Sequence, residues 1–187
     1  MTRAEATPAV AHNKAAQAVA AWRAGLRFTS VSINPENGKD WPARLHHDRA
    51  PKWFQPQLDS GDRTRLLAER RILVSFAGQI AKEKFLGLQP RFDLQKHDGR
   101  IVDMAMLCCS SVDSTEAFLR SLYGASRDLI DRESDWQTIE AIANALLERE
   151  TLGYADVLRV ITCGTTDPTP SRHRSRQRNG KVPARLM

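Results

Sequence analysis

The chain has 187 residues, of which 41% are hydrophobic and 27% charged, with a formal net charge of +6. This composition predicts one soluble globular domain with tails, long enough to bury a core. No apolar run approaches the roughly 20 residues of a membrane span, and no secretory signal is recognisable, so neither a membrane protein nor a secreted one is expected. Three cysteines without disulfide or zinc-ligand spacing favour a reducing, cytoplasmic setting.

Most of the positive charge lies in residues 165–187, here called the basic tail. Its cations are Arg172, Arg174, Arg176, Arg178, Lys181 and Arg185. Asp167 is the single acid among them, so the basic tail carries +5 and the rest of the chain +1. The tail's composition predicts disorder. The four arginines from 172 to 178 would suit phosphate contacts with nucleic acid, and a solvated tail without function is the competing interpretation.

The first predicted helix runs from about Pro8 to Ala24, after a flexible N-terminus at residues 1–7. Thr7 and Pro8 suit its N-cap and first turn, and Gly25 suits its end. One apolar face is expected at helical spacing. Its members are Val10, Ala15, Ala18, Val19 and Trp22. The β-branched and aromatic run at 27–33 then predicts a strand.

Residues 39–61 show no clear period and are interpreted as a long functional loop, which contains His46 and His47. A second helix is expected at 62–86, capped by Ser60 or Asp62. Its predicted apolar stripe consists of Leu66, Leu73, Phe76, Ala77 and Ile80.

Four further helices are expected, at 98–109, 114–132, 135–149 and from 154 to about 162. Asp113 with Glu116 and Ser134 with Gln137 fit capping boxes. The inward residues of the third helix are expected to be Ile101, Val102, Ala105 and Met106, and those of the fifth to be Trp136, Ile139, Ile142, Ala143, Leu146 and Leu147. Cys108 and Cys109 are interpreted as buried structural thiols on the third helix. Together the elements predict a mainly α fold, a helical bundle at 8–164 with a short strand region after the first helix.

Three segments resemble the FtsH-type zinc metallopeptidase domain. They are AWRAGLRF at 21–28, ILVSFAGQIAKEKFLG at 72–87 and WQTIEAIANALLERETLGYADVLRVI at 136–161. The resemblance implies that family's helical fold, with Gly78 and Ala81 allowing the second helix to approach the first closely. No GxxxxGK phosphate loop is present in the sequence, so the ATPase module of the large family members is not expected in this chain.

Aligned on that first segment, the family's HExxH motif falls on residues 13–17, which are Asn-Lys-Ala-Ala-Gln. In the family, two histidines bind zinc and the glutamate takes a proton from the zinc-bound water. Asn13 and Gln17 are neutral amides, and Lys14 is a cation where a base is needed. The resemblance therefore implies a peptidase fold without hydrolytic activity and with no zinc expected.

The resemblance places the family's third zinc ligand at Asp98, with Asp103 as the alternative if the register of the third helix differs. A rearranged zinc site would need His12, His97 and Asp98. Without zinc, Lys14 is predicted either to pair with Asp98, with Glu83 nearby, or to point into solvent.

The resemblance also implies that residues 39–61 contribute a strand edge and part of the substrate cleft, which would be lined by Glu83, His46 and His47. The favoured function is thus a binding or regulatory module acting on an unknown protein partner. The alternatives are an active metallopeptidase with a rearranged site, and a nucleic-acid-associated protein acting through the basic tail.

Overall fold

The computed structural model of the protein describes residues 3–34, 44–47, 54, 61–96 and 99–163, without the side chains of residues 3–7, 44, 46, 47, 96 and 163. Its helices are α1 (Arg3–Arg23), α2 (Asp62–Phe85), α3 (Gly99–Met106), α4 (Val112–Asp131), α5 (Glu133–Arg149) and α6 (Tyr154–Cys163). Its strands are β1 (Phe28–Ser32), β2 (Arg44–His47) and β3 (Thr151–Gly153). The predicted mainly α fold with a small strand region is confirmed. None of the described helices is long and apolar enough to cross a bilayer.

Helix α1 is the central element of the bundle, because it packs against both α2 and α5. Its fully buried residues are Ala9, Ala11, Ala15, Ala16, Ala18, Ala20 and Ala21. These alanines fall on several faces of the helix, whereas the sequence predicted one apolar face. A helix enclosed by neighbours is apolar nearly all round, and small side chains let the neighbouring backbones come close.

The predicted start of α1 at Pro8 is wrong, because the helix begins at Arg3 and Pro8 lies inside it. A proline within a helix lacks the N–H that would bond to the carbonyl four residues earlier. Here that loss falls near the start of the helix, where the first four N–H groups have no partner within the helix in any case. The residues before Pro8 include alanine, arginine and glutamate, which favour helix.

The three strands form an antiparallel sheet in the order β2-β1-β3. Leu45, Val31 and Leu152 lie opposite one another across it and pack against the core. Strand β2 falls within residues 39–61, which were predicted as a loop, so that prediction is wrong at Arg44–His47. The error arose because a four-residue strand is defined by its pairing with β1 and is too short to show a period of its own.

The bounds of α2 agree with the sequence, but the predicted caps are wrong. The N-cap of α2 is Gly61, which makes no side-chain cap, and Asp62 is already helical. Helix α4 is capped by a box formed by Ser111 and Ser114. For α5 the N-cap is Arg132, again without a side-chain cap. The predicted caps Asp62, Asp113 and Ser134 lie one to two residues too far along the chain, because each helix begins slightly before the acidic or polar pattern that marks its first turn. Ser60, the alternative cap of α2, lies one residue too early.

Three residues predicted to face the core are instead exposed. They are Leu66, Met106 and Leu147, with 46%, 52% and 39% of their surface accessible. Each lies at the margin of an apolar stripe whose central members are buried, and the neighbouring helices are too few to cover the whole stripe.

A partly buried ion pair, in which the Arg23 side chain is 43% exposed, joins the end of α1 to the start of α5. Arg23 Nη2 lies 2.6 Å from Asp135 Oδ1, and its Nε donates a second hydrogen bond to that oxygen at 3.2 Å. Asp135 is 2% exposed, and Arg132 Nη1 is 4.0 Å from its other oxygen. A cation at the end of one helix and a carboxylate at the start of another also complement both helix dipoles.

We expect Arg23→Met to lower the free energy of unfolding by about 2 to 3 kcal/mol, because it leaves the buried Asp135 carboxylate with the more distant Arg132. The matched control is Arg120→Met. Arg120 also lies 2.6 Å from a carboxylate, that of Glu116, and also stacks on an aromatic ring, but both of its ion-pair side chains are exposed. Its removal should cost below about 1 kcal/mol. Urea unfolding of both variants is the measurement, and equal losses would contradict the role given to burial.

Candidate functional site

The positions that correspond to the HExxH motif lie in the middle of α1, where it contacts α2. Gly78 of α2 is the point of closest approach. A Cβ at Gly78 would lie 2.7 Å from Gln17 Cγ, 2.8 Å from Gln17 Nε2 and 3.0 Å from the carbonyl oxygen of Asn13. The Gln17 side chain therefore lies directly on the α2 backbone, in space that only a glycine leaves open.

Lys14 shares this region with Gln17. Its ammonium donates a hydrogen bond to Gln17 Oε1 at 3.1 Å. Burial lowers the pKa of Lys14 from 10.5 to about 8. The side chain is thus not freely solvated, which argues against the alternative in which it points into solvent.

Glu83 was predicted to lie near the Lys14–Asp98 pair, and this stays a prediction because Asp98 lies outside the described residues. Gln79 Nε2 donates a hydrogen bond to Glu83 Oε1 at 3.1 Å. Glu83 is also close enough to Tyr123 for its charge to act on the phenol. Burial first, and then the charge of Glu83, raises the pKa of Tyr123 to about 12.

Asp98 and His97 lie outside the described residues, so the Lys14–Asp98 pair stays a prediction.

His12 is packed as an interior side chain. It is 6% exposed, and its Nδ1 is 2.9 Å from the carbonyl oxygen of Pro8. Its ring stacks on Phe85 with 4.0 Å between centroids and lies 5.8 Å from the ring of Trp136. These contacts account for the position of His12 without a metal.

The remaining predicted site residues are only partly described. His46 and His47 lie on β2, with backbones opposite Ser30 and Phe28, and nothing is described of their side chains. The arginines of the basic tail lie outside the described residues. Within the described part of the chain, no group of three or more His, Cys, Asp or Glu side chains is arranged to hold a metal ion.

The sequence interpretation missed two features of this region. One is the direct contact of Gln17 with Gly78, although Gly78 itself had been singled out as a point of close approach. The other is the Arg23–Asp135 pair, for which the only signal was the position of each residue beside a tryptophan, Trp22 and Trp136. Neither contact involves residues close in sequence, so no local pattern reveals the partner.

No protein-family model matches the chain, and no curated protein matches it. The resemblance to the FtsH-type peptidase domain therefore rests on the quoted segments alone.

We expect Gly78→Ala to lower stability by about 1 to 2 kcal/mol, because overpacking against Gln17 and Asn13 outweighs the gain in helix propensity. Gly124→Ala is the matched control, since Gly124 lies inside α4 and a Cβ there meets nothing within 4 Å. That change should raise stability by up to about 1 kcal/mol. Chemical denaturation distinguishes the two, and a stabilised Gly78→Ala protein would contradict the close contact.

Lys14→Met should raise the free energy of unfolding at pH 7 by about 1 to 3 kcal/mol. The reason is that the folded pKa lies below the unfolded value, so the folded protein must hold a buried ammonium at any pH below about 8. The free-energy cost of the buried ammonium declines as pH rises from about 8 to 10.5, so the stability difference between Lys14→Met and the wild type should decline over the same range. Denaturant unfolding of both proteins at several pH values measures this difference. A loss of stability at pH 7 would instead indicate an ion pair such as Lys14–Asp98.

Proposed function

We propose that this protein is a non-catalytic relative of the FtsH-type peptidase domain, which binds an extended segment of a partner protein. The observation that carries the first half of the proposal is the arrangement at residues 13–17. Gln17 packs on Gly78 and accepts the hydrogen bond from Lys14, so the positions that would bind zinc and activate water serve helix packing instead.

The chemistry of these side chains supports the loss of hydrolysis. Neutral amides are poor ligands for zinc, which binds imidazole, thiolate or carboxylate. An ammonium cannot take a proton from water, and its charge would repel a cation beside it. Restoring activity would need replacement of both ligands and the base together.

The binding half of the proposal is supported by the sheet. Strand β2 lies at one edge and pairs with β1 on one side only among the described strands. A free strand edge presents backbone N–H and C=O groups that an extended peptide can pair with. A cytoplasmic location fits the cysteine content and is proposed with it.

The test of the lost zinc site is the metal content of the purified protein after zinc reconstitution and dialysis, measured by elemental mass spectrometry. The wild type should retain no zinc. The variant Asn13→His/Lys14→Glu/Gln17→His restores the family's motif on α1 and should retain about one zinc per chain. A further Asp98→Ala change in that variant is the control, and it should abolish retention.

Two outcomes would contradict the proposal. About one zinc retained by the wild type would favour an active metallopeptidase with a rearranged site. A triple variant that keeps its helical circular dichroism but takes up no zinc would show that α1 does not correspond to the family's zinc helix.

Nucleic-acid binding through the basic tail remains a separate prediction. Deleting the residues after Gly164 should abolish any salt-dependent binding of single-stranded or duplex DNA. Binding that persists without the tail would contradict it.

A further inference from the structure

The sulfur atoms of this chain are concentrated in one short segment. Of its four methionines and three cysteines, Met104, Met106, Cys108 and Cys109 lie within six residues. The sequence suggested that both cysteines are buried on a helix. That interpretation is wrong, because α3 ends at Met106 and both thiols lie in the turn that follows, partly exposed.

The four sulfur groups differ in exposure. Met106 is 52% exposed, Cys108 and Cys109 are half-buried, and Met104 is half-buried and packs against the core. Two backbone hydrogen bonds hold the turn. The N–H of Leu107 donates to the carbonyl oxygen of Asp103 at 3.2 Å, and the N–H of Cys108 donates to the carbonyl oxygen of Ala105 at 2.9 Å. One thioether and two thiols thus lie within four residues at a hydrogen-bonded helix end.

We propose that Met106, Cys108 and Cys109 form a binding site for a soft monovalent cation, Cu(I) or Ag(I). Thiolate and thioether sulfur are the ligands that such cations prefer. Zinc is a poorer fit, because it takes four ligands from Cys, His and carboxylates, and no such third group joins the two cysteines within the described part of the chain.

Binding involves no electron transfer. Each thiol forms a bond from sulfur to the cation and releases its proton to solvent, and the Met106 thioether donates a lone pair without losing a proton.

The experiment is a titration of the full chain with Cu(I), under anaerobic conditions with ascorbate, against a chromophoric Cu(I) chelator. The wild type should bind one Cu(I) per chain, and its oligomeric state should not change when Cu(I) is added. Cys108→Ser and Cys109→Ser should each weaken binding by roughly 100-fold or more, because the second sulfur acts at high effective concentration.

Matched variants separate this site from adventitious thiol binding. Met106→Leu should weaken binding by at least roughly tenfold. The same change at the inward-facing Met104 should leave the affinity unchanged. Cys163→Ser should also leave it unchanged, because α6 packs against α5, β1 and β3. Circular dichroism checks that each variant is folded.

The site is contradicted if Cys108→Ser/Cys109→Ser binds Cu(I) as tightly as the wild type. Equal effects of Met104→Leu and Met106→Leu would also overturn it, as would one Cu(I) bridging two chains. These results are independent of the zinc measurement on α1, so either proposal can fail without the other.

Discussion

The close contact of α1 with α2 at Gly78 is the constraint on which this structure depends. Three atoms of Asn13 and Gln17 occupy the space where any larger residue would place its Cβ. The contact allows the alanines of α1 to be buried against neighbours on more than one side. The Arg23–Asp135 pair then joins the far end of α1 to α5. Residues 13–17 are therefore part of the packing at the centre of the bundle.

The same contact offers a physical reason for the proposed lack of hydrolytic activity. A zinc site needs ligand side chains that are held apart around an open position for water. The Gln17 side chain instead packs on the α2 backbone at Gly78 and accepts a hydrogen bond from Lys14. The amine of Lys14 is itself desolvated by burial. Asn13 and Gln17 contribute instead to the packing of α1 against α2. Glu83, which lies on the same helix as Gly78, accepts a hydrogen bond from Gln79.

The sequence predicted the long helices well, because α2 and α5 repeat their apolar pattern over several turns. The predictions of the helix N-caps were wrong, because a cap depends on local backbone geometry. A shift of one or two residues changes which backbone N–H the capping side chain can reach. Ser111 rather than Asp113 caps α4 for this reason. Strand β2 was missed because its pairing with β1 is nonlocal. The start of α1 was mispredicted at Pro8, because a proline near the start of a helix costs little free energy and the helix begins earlier, at Arg3.

Of the candidate site, the sequence predicted the positions on α1 but not their surroundings. The spacing of Asn13 and Gln17 put both on one face, whereas the desolvation of Lys14 depends on packing that no local pattern reports. The accessibility of Cys108 and Cys109 was likewise mispredicted, because it depends on α3 ending at Met106.

We propose that α1 carries a packing contact in place of the family's metal site. The most direct test is thermal unfolding of the Cys108→Ser/Cys109→Ser protein, in which these two thiols cannot bind the metal, with excess zinc and with EDTA. A cation that binds only the folded state must raise the unfolding temperature. The same midpoint is expected in both solutions. A midpoint several degrees higher in zinc, reversed by EDTA, would contradict it.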